Sequence, residues 1–271
     1  VDGDRIVIGA SHNLNPTNEN GGFLPDSLIV YERNTAGAWL RVAKFQTPEY
    51  RGQFAYSVAV EGDWIVAAAS PGRAAGNGSA IPAAVYSYHR EGAWKAKPFL
   101  TVDVAGGSGF PGVLDLEAGR LLVSHTEETP TAGSVWTLEN GAWGAQKPLP
   151  RPPGVAGITP APAPTSAALQ GTWAALGSLD EGGGVDLYRQ SGTDWSFVSH
   201  LAKQDRPELR FGHDVAILGN TLLVGAPCEG ITIWDRDDGT SRAGHGDRRP
   251  QGGAAYLYQL GDQGATSELE F

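Results

Sequence analysis

The chain has 271 residues, of which 41% are hydrophobic, and its formal net charge at pH 7 is −10. Thirty acidic residues against twenty basic ones, with no basic stripe, argue against nucleic acid or an anionic membrane surface as a partner. The single cysteine, Cys228, cannot make an internal disulfide, and no apolar run is long enough to cross a bilayer.

From the N-terminus onwards, the sequence repeats one pattern about five times, with a period of roughly 40–50 residues. The clearest copy runs from Phe211 to Pro227, and an earlier copy runs from Phe54 to Pro71. Each unit holds four short apolar or alternating runs separated by Gly, Asn, Asp and Pro, which predicts four antiparallel strands and hence the blade of a β-propeller. A tryptophan near the start of the fourth run is expected to pack between neighbouring blades, at positions Trp39, Trp94, Trp143 and Trp195.

In chain order, the predicted blades span approximately 1–46, 47–101, 102–150, 151–202 and 203–271, and together they are predicted to form a single all-β domain. The first copy begins at Val1, which aligns with Val60, so the first blade is predicted to lack its inner strand. We expect a processed or trimmed ring of these blades, while a larger ring with missing units also agrees with the pattern. An open first blade leaves an unpaired sheet edge, which an upstream segment or a partner chain would complete.

Two motifs of the clearest copy carry a family resemblance. Phe211-Gly212 and Gly225-Ala226-Pro227 match the two namesake motifs of FG-GAP repeats, whereas other copies are degenerate, such as Phe54-Ala55 with Ala68-Ala69-Ser70. The chain resembles the bacterial secreted type of FG-GAP β-propeller and is distantly similar to the blades of integrin α-subunit heads. The resemblance implies a β-propeller in an extracellular, secreted or cell-surface protein of a bacterium. It does not specify the function, since propellers host lectins, receptors and enzymes alike.

The long and variable loops all fall on one face of the predicted propeller, and the turns on the opposite face are short and uniform. Loops on a rigid scaffold commonly carry binding residues, so this long-loop face is the predicted binding surface. The long loops run roughly over 11–27, 70–83, 124–133 and 227–253, with linkers near 46–53, 101–110, 150–164 and 202–210.

The largest insertion, from Glu229 to Gly252, and the first long loop supply the candidate ligand-binding residues. A tryptophan beside acids and amides is typical of a site that binds a sugar ring. Aspartates at alternate positions followed by Gly begin a Ca²⁺-binding loop, but the Glu that ends such a loop is absent here. The alternative is a solvated polar loop that the tryptophan staples to its blade. Closure of the ring is expected to bring the two loops together. The candidate ligand-binding residues are His12, Asn13, Asn15, Trp234, His245 and Arg248, and the candidate metal ligands are Asp235, Asp237 and Asp238.

Two acids occupy inner-strand positions where other copies have small residues. Asp214 takes the position of Ser57 and Ser166, and Asp115 takes that of Ala59. We expect this face of the strand to line the central channel, where the two carboxylates are either solvated or form a catalytic or metal-binding pair. They are the candidate catalytic residues.

These patterns favour an extracellular binding module that recognises a glycan or a protein partner through the long-loop face, because no catalytic motif is complete. An enzyme acting on a polysaccharide or glycoconjugate, with carboxylates at the channel mouth, is the second hypothesis. The third is a structural or assembly subunit whose first blade is completed by a strand from a partner chain. Ca²⁺ is the one cofactor that the sequence suggests.

Overall fold

The computed structural model describes residues 1–11, 26–46, 53–70, 72–73, 80–81, 83–101, 111–125, 131–152, 164–179, 183–203, 210–227, 253–262 and 264–270. Within these residues the chain forms twenty-two β-strands and no helix. The strands are β1 (Arg5–Ala10), β2 (Ser27–Arg33), β3 (Trp39–Gln46), β4 (Phe54–Glu61), β5 (Trp64–Ala69), β6 (Gly72–Arg73), β7 (Ala80–Ile81), β8 (Ala84–Glu91), β9 (Ala93–Thr101), β10 (Pro111–Glu117), β11 (Arg120–His125), β12 (Thr131–Glu139), β13 (Ala142–Trp143), β14 (Lys147–Pro150), β15 (Pro164–Gln170), β16 (Trp173–Ser178), β17 (Gly184–Ser191), β18 (Asp194–Leu201), β19 (Asp214–Leu218), β20 (Thr221–Ala226), β21 (Ala254–Gly261) and β22 (Gly264–Glu270).

Five antiparallel sheets follow one another along the chain. The first holds β1-β2-β3, the second β4-β5-β8-β9, the fourth β15-β16-β17-β18 and the fifth β19-β20-β21-β22. In the third sheet, β10, β11 and β12 are followed by a fourth strand that is divided into β13 and β14, both paired with β12. A separate two-stranded ribbon is formed by β6 and β7. The sheets confirm the predicted four-stranded blades, and among the described residues the first sheet has three strands and no inner strand, as predicted.

Tight turns join the first and second strands of each complete sheet. Each turn contains a glycine with positive φ: 50° at Gly62, 68° at Gly119, 56° at Gly171 and 60° at Gly219. Two-residue hairpin turns favour this left-handed backbone, which glycine adopts without a steric cost. One end of every complete sheet is therefore compact.

The sheets pack face to face in chain order, and the core lies between them. The inner strand β4 packs against β1, and β10, β15 and β19 each pack against the inner strand before them. This succession of sheets around their inner strands is the architecture of a β-propeller. Each of the four junctions has a cluster of buried apolar residues drawn from both sheets, which include Val30 and Ile65, Val66 and Leu121, Leu122 and Leu176, and Leu187 and Leu222.

Three of the four predicted tryptophans lie between sheets. Trp94 and Trp195 are buried in the apolar clusters between their own sheet and the preceding one. The ring centroid of Trp143 lies 5.8 Å from that of Trp64 in the preceding sheet. Trp39 is 40% exposed, because no described sheet precedes the first one. The packing role predicted for this position is therefore confirmed in the second, third and fourth sheets.

The Phe-Gly motif of one sheet packs against a glycine in the second strand of the preceding sheet. Phe211 is fully buried, and Gly212 has a φ of 90°, which places its carbonyl group against Gly177 in β16. A Cβ atom added at Gly177 would lie 3.1 Å from the carbonyl carbon of Gly212 and would overlap its oxygen. Ala55, with a φ of 57°, packs in the same way against Gly9 of the first sheet. We call this second-strand glycine the seat glycine, since it receives the turn that begins the next sheet.

Candidate functional site

Side chains on one face of the inner strands bond to the next sheet. Ser57 Oγ accepts a hydrogen bond from the backbone N–H of Leu114 at 3.0 Å, and Ser166 Oγ donates one to the carbonyl oxygen of Gly212 at 3.0 Å. The two serines hold the same position in the second and fourth sheets. This face of the strand is therefore directed at the next sheet, and it fastens one sheet to another.

Asp115 joins the third and fourth sheets in the same way. Its Oδ2 accepts the backbone N–H of Leu169 at 2.6 Å, and its Oδ1 accepts that of Leu116 at 2.9 Å. Burial raises the pKa of Asp115 to about 6, although both hydrogen bonds act in the opposite direction. The side chain faces the fourth sheet and not the central channel as we expected, because alternation along a strand sends this set of residues to the next sheet. Its catalytic role stays a prediction.

Asp214 takes the serine position in the fifth sheet, where no described sheet follows. Its Oδ1 accepts the backbone N–H of its neighbour Val215 at 3.0 Å, and the residue is exposed opposite Gly225. Strand β15 lies between β10 and β19 and packs against both. The structure therefore does not bring Asp115 and Asp214 together, and the catalytic role of Asp214 also stays a prediction.

The face of the fifth sheet that points away from the fourth is apolar and exposed. Leu223 is 41% exposed, whereas Leu122, at the same position of the third sheet, is fully buried against the fourth sheet. Leu223 lies in one cross-strand row with Leu257 and Leu269, and Leu269 is 63% exposed. Leu218, on the same face, is 78% exposed. We call the following residues the open face of the fifth sheet: Asp214, Leu218, Leu223, Gly225 and Leu269.

Gly225 is the seat glycine of this open face. It occupies the position of Gly9 and Gly177, but the nearest atoms to an added Cβ belong to Asp214, at 3.6 Å, which is an ordinary van der Waals distance. At Gly9 and Gly177 the same Cβ would overlap a carbonyl oxygen of the next sheet. The fifth sheet therefore has a seat glycine, but no turn of the described residues packs on it.

We call the series of five sheets the arc. At its other end, in the first sheet, β1 is an edge strand. It pairs with β2, and no other described strand pairs with it. Val7 packs into the junction with the second sheet, whereas Ile8, which points to the opposite side, is 45% exposed. Trp39 is exposed at the same end of the arc. We call β1 together with Ile8 and Trp39 the open edge of the first sheet.

A charged cleft of about 400 Å³ lies beside the open edge, at the end of the first sheet where the short turns lie. Glu32 pairs with Arg5 at 3.3 Å and with Arg90 at 2.9 Å, and Arg33 Nε donates to Asp4 at 2.7 Å. Each of these guanidinium groups has a carboxylate partner. The cleft is therefore neutralised from within and fastens the first sheet to the second.

His125 and Ser134 form a polar pair within the third sheet. His125 Nε2 lies 3.0 Å from Ser134 Oγ, and its Nδ1 lies 3.0 Å from Thr131 Oγ1. Burial lowers the pKa of His125 to about 4, and the charge of Arg151 acts in the same direction. A serine activated by histidine must be reached by its substrate, whereas Ser134 is fully buried. The pair therefore satisfies buried polar groups and does not form a nucleophilic site.

The ligand-binding and metal-binding residues chosen from the sequence lie outside the described residues, and their roles stay predictions. They are His12, Asn13, Asn15, Trp234, Asp235, Asp237, Asp238, His245 and Arg248. Within the part of the chain that the structure describes, no group of three or more His, Cys, Asp or Glu residues is arranged to hold a metal ion. The described residues also contain no helix of the length and apolarity that would span a membrane.

The strand bounds agree with the predicted asymmetry between the two faces of the propeller. In the fifth sheet, β20 ends at Ala226 and β21 begins at Ala254, whereas β19 and β20 are joined by a two-residue turn. The connections between second and third strands and those between sheets leave from the same end of the strands. The strand ends from which the long connections leave therefore lie at one end of the sheets, and the tight glycine turns lie at the other.

The open face of the fifth sheet was not identified from the sequence. A signal existed at Gly225, because the aligned copies place it with Gly9 and Gly177. No signal separated exposed Leu223 from buried Leu122, since both are apolar residues of a second strand. Exposure at these positions depends on whether another sheet follows, and this is a property of the assembly of sheets.

No family model and no curated protein matches the sequence. Among solved structures, the chain is similar to Sqt1 of Saccharomyces cerevisiae, with 11% identity, a TM-score of 0.47, and coverage of 92% of this chain and 70% of that one. It is similar to the N-terminal domain of Nup159, with 12% identity, a TM-score of 0.43 and coverage of 90% of this chain, which spans 56% of the length of that domain. It is also similar to the computationally designed protein Ika4, with 11% identity, a TM-score of 0.41, and coverage of 67% of this chain and 89% of that one. At these identities the similarity extends to the fold alone.

Proposed function

We propose that this protein is a non-catalytic interaction module that binds a glycan or a protein partner on the face of its long connections. The observation that supports the proposal is the asymmetry of the sheets: tight glycine turns close one face, and connections such as 227–253 leave from the other. A rigid scaffold with variable loops on one face separates stability from recognition. The repeats belong, in this proposal, to the secreted FG-GAP type, which places the protein outside the bacterial cell or on its surface.

The proposed ligand-binding residues are those of the first loop and the last insertion. His12, Asn13 and Asn15 supply amides and an imidazole for hydroxyl groups, and Trp234 supplies an aromatic ring for the apolar face of a sugar. Asp235, Asp237 and Asp238 are proposed to bind Ca²⁺, because this ion prefers oxygen ligands such as closely spaced carboxylates.

A glycan array and an array of extracellular proteins, each probed with and without calcium, test the proposal. We expect Trp234→Ala to lower the affinity for the ligand at least tenfold. Asn220→Ala changes an exposed residue on the face of the short turns, and we expect it to leave the affinity within twofold. Loss of binding on chelation would support the calcium site. Binding that Asn220→Ala abolishes and Trp234→Ala preserves would contradict the proposal, because it would place the ligand on the opposite face.

The raised pKa of Asp115 supports a second candidate, an enzyme acting on a polysaccharide or glycoconjugate in which Asp115 or Asp214 acts without the other, since the structure does not bring the two carboxylates together. This candidate predicts that the purified protein releases reducing sugar from a panel of polysaccharides. It also predicts that either Asp115→Asn or Asp214→Asn lowers this activity at least a hundredfold while the protein stays folded. The absence of any release would reject it.

A further inference from the structure

We infer that His200, Asp186 and Arg151 form a binding site for an oligosaccharide that carries an anionic oxygen group, either the carboxylate of a uronic acid or a sulfate ester. The site lies where the third and fourth sheets meet, because Arg151 directly follows β14 and β14 packs against β18, which contains His200. It is also near the end of these sheets from which the long connections leave. The inference rests on the proposed function and deepens it, because it names a chemical class of ligand.

The first argument is the pair of His200 and Asp186. The two residues are cross-strand neighbours in β18 and β17, and His200 Nδ1 lies 2.7 Å from Asp186 Oδ1. This hydrogen bond raises the pKa of His200 against the effect of burial, so the pair favours a protonated imidazole. The side chain of His200 is 49% exposed, and no described residue bonds to its Nε2. The pair therefore presents a cationic N–H donor to solvent.

The second argument is that Asp186 replaces the usual residue of a blade. It stands opposite Leu176 of the second strand, and the corresponding residues of the second and fifth sheets are Tyr86 and Tyr256. Each of those rings packs edge-on against a phenylalanine. A carboxylate cannot supply this apolar contact, so packing within the blade does not account for Asp186.

Gly184 provides the space for the imidazole of His200. A Cβ atom added to Gly184 would lie 2.4 Å from Cε1 and 2.8 Å from Nε2 of that ring. The residues at the same position of the first, second and fifth sheets are Ser27, Ala84 and Ala254, each of which carries a Cβ. The fourth sheet therefore departs from three others at the position against which the imidazole packs.

The third argument is the positive charge of Arg151 beside the pair. Arg151 is partly buried, and burial lowers its pKa, whereas Tyr188 and Asp186 act in the opposite direction. The hydroxyl group of Tyr188 is buried and has no hydrogen-bond partner within the described part of the chain. Such a group is expected where a water or a ligand supplies the partner. Arg151 and protonated His200 outweigh the one carboxylate of Asp186, and an anionic group on a ligand balances this excess of positive charge.

The site also matches the hydroxyl group that lies beside the anionic group of an acidic sugar. Asp186 Oδ1 is bonded to His200, whereas Asp186 Oδ2 accepts no hydrogen bond from a described residue. A carboxylate oxygen next to cationic donors binds a ligand that offers a hydroxyl and an anionic oxygen together. The acidic side chain of a peptide offers the anion without the neighbouring hydroxyl, so the arrangement favours the oligosaccharide.

Isothermal titration calorimetry with three oligosaccharides, at about pH 6 where the imidazole is protonated, tests the inference. Trigalacturonate carries carboxylates, sulfated maltotriose carries sulfate esters, and maltotriose is neutral. We expect at least one of the two acidic oligosaccharides to bind, and the one that binds more tightly identifies the anionic group. We expect maltotriose to bind at least about tenfold more weakly, because it lacks the charge-assisted hydrogen bonds.

Three variants show where the acidic oligosaccharide binds. Arg151→Gln and His200→Gln each remove one cationic donor, and Gly184→Ala displaces the imidazole, because the new Cβ overlaps the end of that side chain. We expect each change to weaken binding at least about tenfold. The matched controls are Arg189→Gln, which removes an arginine paired with Asp262, and His213→Gln, which removes an exposed histidine of the fifth sheet. Both controls should preserve the affinity, and the Tm of every variant checks that it folds.

Failure of both acidic oligosaccharides to bind, or binding that Arg151→Gln and His200→Gln preserve, would overturn the inference. Equal binding of a triglutamate peptide would also overturn it, because the ligand would then be an acidic peptide. Binding of maltotriose alone, lowered by Trp234→Ala, would overturn the inference and leave the proposed function intact. Binding of an acidic oligosaccharide that His200→Gln lowers and Trp234→Ala preserves would support the inference and contradict the role proposed for Trp234.

Discussion

At the junction between the fourth and fifth sheets, Gly177 receives the Phe-Gly turn of the next sheet, and Leu187 is buried with Leu222. On the far side of the fifth sheet, Gly225 stands at the second-strand position of Gly177, but it faces no described sheet. Leu223 stands at the position of Leu122, which is buried against the fourth sheet, and it faces no described sheet either. The same residue types therefore have two environments within one molecule. The comparison shows that a repeat motif creates a surface for its neighbour, and that the neighbour decides whether the surface stabilises the fold or remains open for binding.

The glycine pair gives the largest expected difference between the two regions. Gly177→Ala places a Cβ against the carbonyl group of Gly212 and the hydroxyl of Ser166, and we expect it to lower the free energy of unfolding by more than about 3 kcal/mol. Gly225→Ala has an ordinary contact distance, and we expect a change within about 0.5 kcal/mol. Urea denaturation of both variants measures the difference. Equal destabilisation would mean that Gly225 is also covered.

A leucine pair sharpens the comparison through hydrophobic burial. Leu122→Ala removes a fully buried side chain between the third and fourth sheets, and we expect a loss of about 3 kcal/mol. Leu223→Ala removes a side chain that is already largely exposed, and we expect a loss below about 1 kcal/mol. The measurement is the midpoint of urea unfolding of each variant, together with the slope of the free energy of unfolding against urea concentration. A loss at Leu223 as large as that at Leu122 would contradict the open face.

Acid should weaken the interior through His125. The folded imidazole has a pKa lowered to about 4, whereas the unfolded one binds a proton near pH 6.5. Its contribution is therefore complete above pH 6.5 and is lost as the pH falls towards 4, by about 2–3 kcal/mol in total. The free energy of unfolding of the wild type is compared with that of His125→Gln between pH 7 and pH 4. A parallel pH dependence of the two proteins would refute the burial of a neutral histidine.

Asp115 should act in the opposite direction over an overlapping range. Its pKa is raised to about 6 in the folded protein, so the folded state binds a proton before the unfolded state does. Stability therefore rises relative to Asp115→Asn as the pH falls from about 6 towards 4, by about 2 kcal/mol. The measurement is the difference between the two unfolding curves at pH 7 and at pH 4.5. A difference that stays constant with pH would show that the carboxylate is solvated.

The smallest effect is expected at Ala55, which stands at the glycine position of the Phe-Gly motif with a φ of 57°. A side chain in this left-handed region is strained, so Ala55→Gly should stabilise the protein by about 1 kcal/mol. Ala59→Gly, in the extended part of the same strand, is the matched control and should destabilise it by a similar amount. Stabilisation by both changes, or by neither, would argue against a strained left-handed backbone at Ala55.

Much of the fold could be predicted from the sequence, because each of its signals is local. Alternating apolar runs and glycine turns such as Gly219 predicted four-stranded sheets, and the alignment of Val1 with Val60 predicted the missing inner strand. The direction of Asp115 could not be predicted in this way. Alternation separates the two faces of a strand, but it does not tell whether a face is covered by a neighbouring sheet or borders the channel.

The candidate site was less accessible to sequence reasoning for a second physical reason. The exposure of Leu223, Leu269 and Trp39 depends on whether another sheet packs against them. The residues next to them in the sequence do not indicate whether such a sheet is present. The polar residues that the sequence favoured, such as Trp234 and His12, lie outside the described residues, so the binding role proposed for them depends on the array experiment.

Hydroxyl-radical footprinting of the free protein, followed by mass spectrometry of the labelled side chains, measures whether the far face of the fifth sheet and the edge of the first sheet are open to solvent. It reports the exposure of each side chain, and Trp39 and Trp195 hold the same position in the first and fourth sheets. We expect rapid labelling of Trp39, Leu218 and Leu269 and slow labelling of Trp195, which is 7% exposed. Protection of Trp39 to the level of Trp195, together with protection of Leu269, would contradict it, because the ends of the arc would then already be covered.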